Sequence, residues 1–221
     1  METIGGSSGG ENTSTAATAH STIDPSKDPK RRAKSNDPGW KYGYWPNLGG
    51  KRVGIIGMGS IGSEVAKRLE PFGCRISYNS RKKKPRVAFP FYSNVHDLAA
   101  NSDVLILSCA LTKETYHIIK RDVLLALGEK GVIINVGRGA LIDEKELVQC
   151  LVQGEIGGAG LDVYENEPIV PKELFVLDSV VLSPHKAVLT PESFAASSKM
   201  AMGNLEAFFA GKPLLSPVKD E

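Results

Sequence analysis

A short apolar run, Val53-Gly54-Ile55-Ile56, ends in Gly57-Met58-Gly59-Ser60-Ile61-Gly62. The chain then passes directly into helical spacing, with Ile61, Val65 and Leu69 on one expected face. Strand, glycine turn and helix in that order leave few folds open. Gly57 permits the turn, Gly59 lets a ligand approach the backbone, and Gly62 lets the helix pack close to the sheet. The helix N-terminus offers N–H groups and a partial positive charge to an anion. In this context Gly57, Gly59, Ser60, Ile61 and Gly62 read as a dinucleotide-binding turn that cradles a pyrophosphate.

The rest of the chain fits that start. Arg75 to Tyr78, Val104 to Leu107, Val132 to Val136, Ile156 to Leu161 and Val180 to Leu182 are short apolar runs, and Phe89 to Tyr92 is a further one. Ser93 or Asn94 caps a helix running into Leu98. Asp143-Glu144-Lys145-Glu146 is a capping box, and Thr190-Pro191-Glu192 opens a last helix that ends at Gly211. Apolar strands alternating with helices predict an α/β, doubly wound parallel sheet of the Rossmann kind, covered on both faces. Residues 1–39 are rich in Gly, Ser, Thr and Asn, and read as a disordered low-complexity tail. Residues 40–185 read as the dinucleotide-binding domain, and 186–221 as a C-terminal helix and tail left over from a second domain.

Bulk properties exclude several classes. Lys+Arg 27 against Asp+Glu 25 in 221 residues is too balanced to make nucleic acid or an anionic membrane the main partner. The longest apolar run, near Val104 to Leu111, is broken by Ser108 and far too short to span a membrane. Cys74, Cys109 and Cys150 form no CxxC pair and no metal-ligand cluster, which points to a reducing, cytoplasmic setting. The patch Lys30-Arg31-Arg32-Ala33-Lys34 reads first as a solvated charge run within the tail, with a nuclear address or part of a transit peptide as the alternatives.

The second strand selects the cofactor. An NAD site wants Asp or Glu at that strand's end, to bind the ribose hydroxyls. No acid lies between Glu70 and Asp97, and the chain reads Tyr78-Asn79-Ser80-Arg81-Lys82-Lys83-Lys84 instead. Ser80 can donate to a 2′-phosphate and Arg81 can grip it with two N–H groups. NADP(H) is therefore expected over NAD(H), with Asn79, Ser80 and Arg81 at the adenosine end. Cys109, just past the buried run Val104 to Leu107, is counted with the cofactor contacts.

Three later stretches each carry one reactive side chain. Arg138 follows a buried strand, at the end of the sheet where ligands bind. Its planar fork suits the carboxylate and carbonyl oxygens of a 2-keto acid. Gly137 and Gly139 are expected to leave room for that substrate. His185 follows Pro184 after the last strand, where a protonated imidazole can supply a proton to a carbonyl oxygen as hydride reaches the carbon. Glu167 is its natural partner, since a nearby carboxylate favours imidazolium. Asp162 ends a strand, either accepting from a nicotinamide amide or capping a turn. His20, His96 and His117 lack comparable company and read as bland.

From about Trp40 to Val218 these motifs resemble the D-isomer-specific 2-hydroxyacid dehydrogenase family. The resemblance rests on Leu111-Thr112-Lys113-Glu114-Thr115, Val136-Gly137-Arg138-Gly139-Ala140-Leu141-Ile142-Asp143-Glu144 and Gly160-Leu161-Asp162-Val163-Tyr164-Glu165-Asn166-Glu167-Pro168. Ser183-Pro184-His185-Lys186-Ala187-Val188-Leu189-Thr190-Pro191-Glu192-Ser193 is most similar to the plant glyoxylate/hydroxypyruvate reductases within it. The resemblance implies reduction of glyoxylate or hydroxypyruvate by NADPH, with Arg138 as substrate clamp and Glu167 and His185 as acid–base pair. It also implies a homodimer formed through the cofactor domain. Glu167 stands where formate dehydrogenases of the family carry Gln, which disfavours that activity. Family members carry a substrate domain ahead of the dinucleotide fold, and here the glycine turn arrives at Gly57. The chain is about a hundred residues short of two full domains. A poorly active NADP-binding fragment, or a subunit partner of a longer chain, is the alternative expectation. Phe194, Met200, Leu205 and Phe208 would then lack a covering face.

Overall fold

Six parallel strands in the order β2-β1-β3-β4-β5-β6 form the sheet of a computed structural model that describes residues 47–217. The expectations for the 1–39 tail and its basic patch lie outside the described residues. The strands are β1 (Arg52–Ile56), β2 (Arg75–Asn79), β3 (Val104–Leu107), β4 (Val132–Asn135), β5 (Gly158–Leu161) and β6 (Val180–Leu182). The helices are α1 (Ser60–Leu69), α2 (Val95–Ala100), α3 (Arg121–Leu127), α4 (Glu144–Gln153) and α5 (Pro191–Phe209). Successive strand residues face opposite sides, so an apolar run feeds two cores. Leu105, Leu107, Ile133, Leu124 and Leu147 pack on one face. Val53, Ile55, Ile106, Ala66 and Tyr78 pack on the other. The expected doubly wound α/β sheet is the fold observed.

Strand order reverses between β1 and β3, because β2 lies outside β1 and β3 crosses to its inner side. That switch point opens a crevice at the carboxyl ends of the two strands. α2 closes tightly on the sheet beneath it. A Cβ on Gly54 would stand 2.4 Å from the Ser102 hydroxyl and 2.9 Å from Leu98.

Several boundaries differ from expectation for local reasons. α1 buries only Gly62 and Ala66, and Ile61 is 59% exposed. The two small residues bring the helix backbone against the sheet, which turns Ile61 away from the core. Past Leu69 the chain tightens into a 3-10 turn, Glu70–Phe72, with Pro71 inside it. Phe89 to Tyr92 makes one bridge, Phe91 to Tyr78, because Pro90 has no N–H to extend the ladder. The fifth strand begins at Gly158 rather than Ile156, after Gly154 ends α4 at φ 71°. α3 and the 3-10 turn Lys172–Val176 carried no expectation. The N-caps hold: Asp143 accepts from the Glu146 N–H at 3.3 Å, Asn94 from His96 at 2.7 Å and Thr190 from Ser193 at 3.1 Å. The expected capping box is only half formed, because the Asp143 N–H donates to the Ile119 carbonyl at 2.9 Å and not to Glu146.

The feet of β1 and β3 are tied by one ion pair. Asp103 accepts from the Arg52 backbone N–H at 2.8 Å and from its Nη2 at 2.7 Å, and returns its own N–H to the Arg52 carbonyl. The Arg52 hydrogen bond, opposed by burial, holds the Asp103 carboxyl below its usual value. A carboxyl so depressed stabilises the fold fully above its unfolded pKa of about 3.9, and loses that contribution as pH falls through its folded value. Asp103→Asn should therefore cost about 1 kcal/mol at neutral pH, after allowance for solvent screening. Urea denaturation at pH 7 and pH 3 should show the two proteins converging at the lower pH.

Candidate active site

The glycine turn sits at the switch point, and each glycine there has a separate physical requirement. Gly57 has φ +100°, and a Cβ on it would meet the Cys109 backbone nitrogen at 2.5 Å. Its N–H donates to the Asn79 carbonyl at 2.9 Å, and its carbonyl accepts from the Ser108 hydroxyl at 3.0 Å. A Cβ on Gly62 would fall 2.1 Å from the Gly57 carbonyl oxygen, so α1 can lie this close only with glycine there. A Cβ on Gly59 would meet nothing within 4 Å. Gly59 therefore answers to no packing demand, and its backbone faces open space at the start of α1. No side chain caps that helix and no acid stands in its first turn. These residues fit a pyrophosphate on three counts: accessible backbone, an uncapped helix N-terminus and no competing carboxylate.

At the end of β2 the picture is mixed. Asn79 is buried, and its side-chain amide donates to the Tyr92 carbonyl at 2.9 Å, so its side chain braces the crevice wall. The Ser80 hydroxyl donates to the Lys82 carbonyl at 2.7 Å and must leave that bond to reach a phosphate. Arg81 is exposed where the chain leaves β2. The Glu114 carboxyl is held below the usual range chiefly by the Thr112 hydroxyl, with a smaller contribution from the Arg81 charge. Cys109 follows β3 and packs beneath Gly57, and burial pushes its thiol up.

Arg138 leaves β4 in a short turn. Asn135 organises this turn, accepting from the Gly137 N–H at 3.0 Å and donating to the Arg138 carbonyl at 2.9 Å. The Arg138 guanidinium is exposed, makes no ion pair among the described residues and rests on the Gly137 carbonyl at 2.7 Å. The flanking glycines do not make room for a substrate, contrary to expectation. A Cβ on Gly139 would land 1.9 Å from the Tyr164 carbonyl, and one on Gly137 would press Leu141 at 2.8 Å. They are glycine because backbone packs on backbone there.

His185 and Glu167 come together as expected: Nδ1 and Oε2 are 2.8 Å apart. That hydrogen bond, helped by the Tyr164 N–H at 3.1 Å, holds the Glu167 carboxyl below its usual range. The imidazole Nε2 has no partner among the described residues, so it is the ring nitrogen left to face a ligand. His185 has φ 54°, a left-handed conformation that side chains rarely adopt. Asp162 maintains it. The buried Asp162 carboxylate accepts from the Ser183 hydroxyl at 2.6 Å, from Lys186 N–H at 2.8 Å and from Ala187 N–H at 3.0 Å, while its carbonyl accepts from the His185 N–H. Burial raises this carboxyl, and the Ser183, Ala187 and Lys186 donors together outweigh burial and leave it lowered. Of the two readings of Asp162, the turn cap is the one these bonds display.

His117 corrects an expectation. Its sequence context is bland, yet its Nε2 lies 2.8 Å from the Glu165 carboxylate and its Nδ1 lies 3.7 Å from Asp143. It too is left-handed, at φ 50°, and its ring stacks on Tyr116. Its partner lies 48 residues away, so no local pattern could announce the pair. Ser108 was also missed as a contributor. A single hydroxyl interrupting an apolar strand end was its signal. Among the described residues no cluster of His, Cys, Asp and Glu could hold a metal ion, and no helix is long and apolar enough to cross a membrane.

The family model for the D-isomer specific 2-hydroxyacid dehydrogenase, NAD binding domain, matches residues 26–187. The chain belongs to this family. Among curated relatives, a glyoxylate/hydroxypyruvate reductase of Arabidopsis thaliana is 58% identical over 198 residues, covering 86% of this chain and 61% of the relative. A hydroxyphenylpyruvate reductase of Plectranthus scutellarioides is 55% identical, covering 81% of this chain and 58% of the relative. Among solved structures, an NADPH-dependent glyoxylate/hydroxypyruvate reductase of Sinorhizobium meliloti, in complex with NADP and malonate, matches with TM-score 0.75 and 41% identity, over 81% of this chain and 58% of that one. The chain thus spans about three fifths of the length of these dehydrogenases.

The glycines separate folding from binding. Gly62→Ala should destabilise the fold by about 1–3 kcal/mol through overpacking. Gly59→Ala should hold stability within about 1 kcal/mol and still lose dinucleotide binding, since its methyl would fill the approach to the backbone. Thermal denaturation paired with a fluorescence titration of NADPH reads both.

Proposed function

We propose that this chain is the cofactor-binding and catalytic part of an NADPH-dependent reductase of small 2-keto acids, with glyoxylate and hydroxypyruvate as substrates. The observation that carries the reading is the His185–Glu167 pair at 2.8 Å, joined through the Tyr164 N–H to the segment on which the Arg138 turn packs. The names of the Arabidopsis and Sinorhizobium relatives support the substrate class. The absence of an acid between Glu70 and Asp97, with Arg81 at the end of β2, supports NADPH over NADH.

NADPH, when bound along Gly57 to Gly62, supplies the hydride. Arg138 offers its fork to the substrate carboxylate and carbonyl oxygen. As negative charge grows on that oxygen, His185 delivers a proton from Nε2. Glu167 holds Nδ1 and stabilises the charged ring beforehand. Asp162 keeps one acceptor position on Oδ2, which suits the nicotinamide carboxamide. The same reading expects a homodimer formed through this domain, in the cytoplasm.

A second reading has its own support. Phe194, Leu205, Phe208 and Phe209 on α5 are 70%, 58%, 68% and 82% exposed. An apolar face of that size on a chain spanning 61% of a relative suits a fragment or subunit partner that binds NADP and turns over slowly. An open site also leaves water around Arg138 and weakens its electrostatic action.

Two measurements decide. NADPH oxidation with hydroxypyruvate and with glyoxylate should proceed and should vanish in His185→Ala, while NADPH fluorescence titration remains unchanged. Binding without turnover in the unmutated chain selects the second reading. Arg81→Ala should weaken NADPH several-fold and leave NADH nearly unchanged; equal losses would remove the 2′-phosphate argument.

A further inference from the structure

The Arg138 turn and the segment carrying Glu167 are separate in sequence, and three contacts clamp them together. Gly139 lies against the Tyr164 and Glu165 backbone, at a distance no Cβ would tolerate. Glu165 and Glu144 exchange bonds, each carboxylate accepting the other's backbone N–H, at 3.4 and 3.1 Å. His117 holds the other Glu165 oxygen at 2.8 Å and donates its own backbone N–H to the Ala140 carbonyl at 2.8 Å, inside the turn that follows Arg138. Two parallel backbone bonds continue this attachment, from Ile119 N–H to Leu141 and from Asp143 N–H to Ile119. Glu165 and His117 are both largely shielded from solvent, with side chains 20% and 18% exposed. Burial, partly offset by the Glu165 N–H bond, pushes the Glu144 carboxyl up.

We propose that Glu165, fixed by His117, is a positioning residue that sets where the Arg138 guanidinium stands relative to the Glu167–His185 pair. Neither residue touches the substrate in this account. His117 adopts φ 50° in order to present its backbone N–H to Ala140 and its ring to Glu165 at once. A left-handed residue outside glycine is kept where its surroundings over-determine it, often beside a functional site. Glu165 sits at the centre because one carboxylate bridges three pieces of chain: the loop after β3, the start of α4, and the segment after β5.

The inference rests on the reading of Arg138 as substrate clamp, and its test separates the two. The full chain is used, with two variants. Glu165→Ala removes the bridge. His117→Asn keeps a residue that tolerates the left-handed backbone, but its amide is too short to reach Glu165. The readouts are the Nε–Hε NMR cross-peak of Arg138, assigned by its loss in Arg138→Lys, the KM for hydroxypyruvate, and the NADPH dissociation constant. Both variants should shift or broaden the Arg138 cross-peak. The KM for hydroxypyruvate should rise about tenfold or more, with kcat falling less and NADPH affinity unchanged. A merely structural role would lower thermal stability while leaving the Arg138 cross-peak in place, and that result overturns the proposal. If the unmutated chain shows no turnover, the reductase reading fails by itself and the cross-peak alone decides positioning. If Glu165→Ala fails to fold, His117→Asn carries the test by the same criteria.

Discussion

One buried carboxylate governs the geometry on which the chemistry depends. Asp162 directly follows β5 and takes three donors from the turn after β6, while its own carbonyl takes a fourth. Those bonds hold His185 in a left-handed conformation whose cost is about 1–2 kcal/mol for a side-chain-bearing residue. With His185 so fixed, its Nδ1 falls against Glu167 and its Nε2 is left outward. The His185–Glu167 pair is thus a product of backbone placement. A free imidazole on a mobile loop would need to find Glu167 at the expense of rotamer entropy on both sides.

A parallel sheet directs every strand's carboxyl end to the same side. The consequence is visible strand by strand. β1 delivers the glycine turn, β2 the Ser80-Arg81 corner, β3 Cys109 and Ser108, β4 Arg138, β5 Asp162, and the turn after β6 His185. Beside the Asp162 cap, this arrangement relies on small residues where backbones meet. Gly57 against Cys109 and Gly139 against Tyr164 allow neighbouring strand ends to approach closely, and Gly62 against Gly57 lets α1 settle on the turn. The geometry of these strand ends is built on close backbone packing, which is why glycine recurs there.

Local features were legible in the sequence and long-range ones were not. The glycine turn, the buried strands and the Asp143 and Thr190 caps each depend on residues within a few positions of one another, so their pattern survives in one dimension. The meeting of Glu167 with His185 was legible because each sits in a stretch whose context resembles a known family. The His117–Glu165 bridge was not, since its partners are brought together only by the βαβ crossovers. The role of Gly139 was hidden for the same reason: Tyr164, distant in sequence, occupies the space that seemed open, while at Gly137 the space is taken by Leu141 and by the Cys109 carbonyl. Ile61 shows the opposite failure. Helical spacing placed it inside, but the close approach that Gly62 and Ala66 permit rotates it outward.

The most direct measurement is a crystal structure of the chain with NADP and oxamate, an unreactive mimic of a 2-keto acid. The account predicts the His185 ring edge, through Nε2, and the Arg138 guanidinium both converging on oxamate beside nicotinamide C4, with Asp162 still capping the 183–187 turn. An imidazole directed away from the nicotinamide, with Arg138 bonded elsewhere, would contradict it.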